Sequence, residues 1–111
     1  MALFIRWDQP LIPEDQVLQL RPTELDDFYF SASEPDKSNL FFILLNSLHY
    51  YEGKGDCVRA AYLSFLTANY LFVALTPPGS YDLALHYMKK ALVLDPKEEY
   101  RQWLALMEQG N

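Results

Sequence analysis

The sequence predicts an all-α fold, an antiparallel array of helix-turn-helix hairpins preceded by an irregular N-terminal arm. Three observations predict it. Apolar residues recur at helical spacing on one side of residues 80–94, through Tyr81, Ala84, Tyr87, Met88, Ala91 and Leu92, while Asp82, His86, Lys89 and Lys90 lie elsewhere on the circumference. Breakers at Gly53-Lys54-Gly55, Pro77-Pro78-Gly79 and Asp95-Pro96 divide the chain into helix-length segments. Four of the seven prolines, Pro10, Pro13, Pro22 and Pro35, fall in the first part of the chain and exclude one long helix there.

The chain accordingly divides into a proline-rich, acidic arm over 1–37, expected to pack on the helices, and a helical domain over 38–111. In the arm, Leu3 to Trp7 reads as extended. Pro13 to Leu20 has the makings of two helical turns begun at a proline, and Thr23 to Phe30 of two more from a threonine cap. Phe4, Ile5, Trp7, Phe28, Tyr29 and Phe30 are too apolar for a free tail.

Ser38 is the expected cap of the next helix, with Leu40, Phe41, Leu44, Leu45, Leu48 and Tyr51 at helical spacing. The run Leu40 to Leu45 also reads as a buried strand, and continuation of the pattern to Tyr51 decides for helix. Asp56 is placed to cap a helix reaching about Thr76, apolar nearly all round and therefore expected in the middle of the fold. Ser80 is expected to cap the helix that follows. Asp95-Pro96-Lys97-Glu98 offers a cap, a first-turn proline and a capping-box acid for a last helix, Pro96 to about Gln109.

The unit Phe65 to Glu98 resembles a tetratricopeptide repeat, a helical hairpin with a 34-residue period. Leu71, Gly79, Tyr81, Ala84, Ala91 and Pro96 fall on family positions, while Ala68, Phe72, Leu75 and Met88 stand where the family has Trp, Gly, Tyr and Phe. Gly55 to Ala60 resembles Gly79 to Ala84, so the preceding hairpin is a partial unit. The resemblance implies that small residues let the two helices of the unit touch. It also implies a TPR-like groove, lined by the first helix of each unit, that holds a segment of a partner protein. Its lining would be Leu66, Asn69, Val73 and Thr76, with Phe42, Asn46 and His49 from the preceding helix. Asn46 and Asn69 have no basic companions on those faces, so an acidic peptide is not the implied ligand; an apolar or mildly basic one is.

Composition narrows the function. A chain of 111 residues makes one domain, and half of it is apolar. The net charge of -6, without a Lys/Arg cluster, argues against nucleic-acid binding. Most of that charge lies in the arm, where eight acids face three bases. The first eight residues have too short an apolar core for a signal peptide, and Tyr62 to Leu75 is too short to span a bilayer, so a soluble cytoplasmic protein that does not engage a membrane is expected. The lone Cys57 cannot form an internal disulfide and reads as a small buried hydrophobe, since Asp56 opposes thiolate formation.

Nothing in the sequence reads as catalytic. Gly53-Lys54-Gly55-Asp56 lacks the glycine spacing of a phosphate loop. His49 and Glu52 share a helix face, but a metal site needs further ligands, and His86 is expected on an exposed face. No catalytic residue, metal or cofactor is assigned. Seventeen aromatic residues, eight of them Tyr, exceed what a small core hides, and some are expected at a groove or interface. The expected function is that of a small adaptor or chaperone, a non-enzyme that binds another protein. An acidic inhibitor or immunity-type protein blocking a basic site on its target, through Glu14-Asp15 and Asp26-Asp27, is the alternative, and a structural subunit of a larger assembly is a third. Since solenoids need three or more repeats for stability, the arm, through Phe4, Ile5, Trp7 and Phe28, and a homodimer or heteromeric complex are expected to supply missing burial.

Overall fold

The computed structural model describes residues 10–110, so the expectations placed on Leu3 to Trp7 lie outside the described residues. Among these there are six α-helices and no strand: α1 Glu14–Val17, α2 Pro22–Ser31, α3 Glu34–Gly53, α4 Cys57–Asn69, α5 Ser80–Leu94 and α6 Glu98–Glu108. Helix α4 runs on into a π-helical segment, Tyr70–Ala74, closed by the Leu75 N–H donating to the Tyr70 carbonyl five residues back at 2.8 Å.

The helix ends follow from the capping chemistry, not always at the expected residue. Helix α3 begins at Glu34, inside the sequence-assigned arm, because the Ser33 hydroxyl accepts the Asp36 N–H at 3.3 Å and Pro35 falls in the first turn, where a missing N–H costs nothing. Ser38 is therefore an exposed residue within the helix and not its cap. Thr23 is likewise inside α2. Arg21 holds the cap position, Pro22 follows, and the Glu24 carboxylate accepts the Arg21 N–H at 3.1 Å.

Asp56 caps α4 as its position predicts, accepting the Arg59 N–H at 3.2 Å. The residue before α5 is Gly79 at φ +84°, a left-handed conformation that glycine adopts without strain, and Ser80 is the first helical residue instead of the cap. The capping box at Asp95 does not form. The Asp95 N–H still donates to Ala91 and so closes α5, and α6 starts only after Lys97.

Helix α4 is the centre of the array, packed chiefly between α3 and α5. Ala60, Ala61 and Ala68 on α4 and Ala84 and Ala91 on α5 have no exposed surface, and their size is what lets helix axes approach closely. Ser64 on α4 donates to the Tyr87 carbonyl of α5 at 2.6 Å. Phe65 extends the core to α6, with ring centroids 5.2 Å from Tyr100 and 6.2 Å from Trp103. The stretch Cys57–Ala74 is long and apolar enough by composition to cross a bilayer, but 61% of it is buried inside the fold, which accounts for the apolarity. Cys57 itself is exposed, correcting the buried reading: it occupies the first position of α4, at the surface, while the buried stripe begins at Ala60.

Candidate protein-docking site

Residues 10–20 lie across α3 and α4, held by side chains that grip their main chain. Asn46 Nδ2 donates to the Pro10 carbonyl. Ser47 Oγ accepts the Ile12 N–H at 2.9 Å, and the Tyr51 hydroxyl donates to the Ile12 carbonyl at 2.6 Å. Arg59 Nε donates to the Glu14 carbonyl at 2.9 Å, and the Tyr62 hydroxyl to that of Leu20. Between these clamps Ile12, Val17 and Leu20 are buried in the common core. Phe28, on α2, packs against that core as well.

The electrostatics keep the clamps in their donor forms. Burial, assisted by the charge of Glu14, pushes the Tyr51 hydroxyl above its ordinary value, and burial does the same to Tyr62. Burial alone would raise the Asp56 carboxyl, yet hydrogen bonds from the Arg59 backbone and guanidinium bring it below the usual carboxylate range. Arg59 lies 2.9 Å from Asp56 and 3.6 Å from Glu14, so two acids and the arm share one cation. A second long-range pair, Lys90 to Glu52 at 2.7 Å, ties α5 to the end of α3, which takes Glu52 out of any site with His49.

The seven residues assigned to a common groove do not share one. Leu66 and Asn69 are buried in the centre of the fold and cannot line an open face, because α4 has neighbours on several sides. Val73 is half exposed and leaves their face for a second reason: the π segment adds a residue to the turn after Asn69 and rotates everything beyond it. Thr76 lies past the helix end, in the exposed connection before α5. Phe42, Asn46 and His49 are all exposed on α3.

Of these seven, the exposed residues that lie together among the described residues are on the outer side of α3. From Ser38 to Tyr51, fourteen residues carry no Asp, Glu, Lys or Arg, and Asn39, Phe42, Asn46, His49 and Tyr50 are exposed. Phe42 shows 64% of its surface. Beside it a groove of about 520 Å³ is lined by Pro10, Asn39, Phe42, Ile43, Leu45 and Asn46, so the arm forms one of its edges. An uncharged strip with exposed aromatics has the composition of an interface centre, where charged side chains are depleted and aromatics enriched.

No protein-family model, curated protein or solved structure matches the chain. The residues that sequence reasoning missed are Ser47, Tyr51, Arg59 and Tyr62 as clamps and Asn39 and Pro10 at the groove. The groove had a sequence signal in the long charge-free run. The clamps had none, because their partners are peptide groups present at every residue.

Proposed function

We propose that this protein is a small, non-catalytic adaptor or chaperone that docks another protein on the uncharged outer face of α3 and the groove beside Pro10. The supporting observation is that charge-free run, Ser38 to Tyr51, with Phe42 standing 64% exposed in its middle on a chain of net charge -6. A solvated helix face ordinarily carries Lys and Glu; one that carries Asn, Phe, His and Tyr lowers the desolvation penalty of association. The antiparallel helices supply the scaffold, and the arm, gripped across α3 and α4, forms one edge of the groove.

The test compares proximity labelling and cross-linked capture from cells by three chains: the natural one, Phe42→Asp, and Val93→Asp as a control at an even more exposed site on α5. The expected result is a protein captured by the natural chain and the control and lost with Phe42→Asp; equal capture by all three overturns the reading. The acidic-inhibitor alternative draws on arm carboxylates of which Glu14 is already turned toward Arg59. It predicts capture that falls steeply with added salt, whereas docking on the α3 face does not.

A further inference from the structure

The geometry of α3 points to a second copy of this chain as the partner: we infer that two copies pair through their α3 helices, antiparallel, about a two-fold axis beside Phe42. This rests on the reading of that face as a docking surface and names its occupant. A two-fold contact sets one patch against itself, so the patch must be self-complementary. Asn39 and Asn46 lie on one strip of α3 two turns apart, almost symmetrically about Phe42. Antiparallel pairing therefore puts Asn39 opposite Asn46 of the second copy, and the reverse, with the two Phe42 rings meeting between.

The hydrogen-bonding capacity fits. Asn46 uses an amide N–H on the Pro10 carbonyl and its carbonyl oxygen has no partner among the described residues, while Asn39 gives one N–H to Asp36 at 3.4 Å and has a second to offer. A free donor on one copy thus faces a free acceptor on the other, twice. The groove along Pro10 and Ile43 is the space beside each Phe42 into which the other ring can settle.

Charge selects the same arrangement. Two bodies of net charge -6 repel over most of their surfaces, and the fourteen-residue run offers an approach that sets no carboxylate against a carboxylate. Antiparallel α3 helices also oppose their macrodipoles. That direction brings the acidic first turn, with Glu34 and Asp36, toward the end that carries His49 and Lys54, where the carboxylate of Glu52 is already paired with Lys90. A single helix pair buries an area at the low end of specific interfaces, so the test has to reach high protein concentration.

Sedimentation of the full chain across a concentration series tests this, with circular dichroism to show that each variant is folded. The natural chain is expected to dimerise, and Phe42→Asp to raise the dissociation constant at least about thirtyfold without loss of helicity. The register is tested by two double variants. N39D/N46K places opposite charges across the axis and should dimerise in a salt-sensitive way, whereas N39K/N46K places like charges there and should be monomeric. A natural chain that stays monomeric at sub-millimolar concentration, a dimer indifferent to Phe42→Asp, or two double variants that behave alike would each overturn the inference. A monomer that still loses a different captured protein on Phe42→Asp removes the second copy and leaves the docking face standing.

Discussion

The contact between α4 and α5 and the contact between the arm and α3/α4 are both buried, yet they are built from opposite materials. The first is apolar packing between two helices, with Ala60, Ala61 and Ala68 buried on α4, Ala84, Met88 and Ala91 buried on α5, and one hydroxyl, Ser64, crossing to a carbonyl. In the second, Asn46, Ser47, Tyr51, Arg59 and Tyr62 satisfy peptide groups of an irregular segment that has no ladder of its own. The difference follows from where backbone polarity goes. A helix satisfies its own N–H and C=O groups and can offer a purely apolar stripe, whereas a proline-broken segment must borrow donors and acceptors to be buried at all.

The comparison breaks first at the helix pair. Met88→Ala opens a void at a site with no exposed surface and is expected to cost about 2–5 kcal/mol of unfolding free energy in urea titration, with the whole fold lost in one transition. Tyr51→Phe keeps the ring and removes the donor to the Ile12 carbonyl, leaving a buried acceptor unpaired. About 1–3 kcal/mol is the expected loss. Limited proteolysis should then cut within residues 10–20 before any helix is cleaved; cleavage first between α4 and α5 would show that the arm is not a separately held region.

The smallest effect is expected at the Arg59 junction. Asp56→Asn keeps a good capping side chain and removes one charge from a partly exposed pair, so less than about 1 kcal/mol should be lost at neutral pH. The sign of its pH dependence is fixed. The Asp56 carboxyl titrates below its ordinary 3.8 in the folded chain, so its contribution is complete above that pH and disappears as the pH falls through the lowered value. The difference between the natural chain and Asp56→Asn, measured by thermal unfolding, should therefore shrink in acid; a difference that persists there would mean that the charge is not its source.

The same contrast explains what could be read from the residues. The all-α architecture, the central place of the helix capped by Asp56 and the buried alanines of the hairpin are all consequences of apolar spacing and breakers, which the sequence displays directly. The cap positions shifted where two residues competed for one end: Ser33 with Pro35 outdid Ser38, and Asp95 was already engaged in finishing α5. The expected groove failed for a less visible reason. Leu66 and Asn69 are buried because α4 has neighbours on several sides, and Val73 and Thr76 share their face only while the helix keeps its α period, which the π segment interrupts after Asn69. Several of the surplus tyrosines divide between the clamps and the surface, while Tyr100 is wholly buried. Tyr51, Tyr62 and Tyr70 turn their hydroxyls on carbonyls of Ile12, Leu20 and Lys37, while Tyr50 stays at the surface beside the groove face.

Clamps that grip only peptide groups are indifferent to spelling. Between Ile12, Val17 and Leu20, the exposed letters Asp15 and Gln19 can be rewritten with little penalty, whereas the Glu14 carboxylate also faces Arg59, so only part of that stretch is free to drift over generations. One restriction survives at position 12. Besides the apolar side chain that its burial demands, its N–H is given to Ser47, so proline, which stands at the nearby positions 10 and 13, is excluded there.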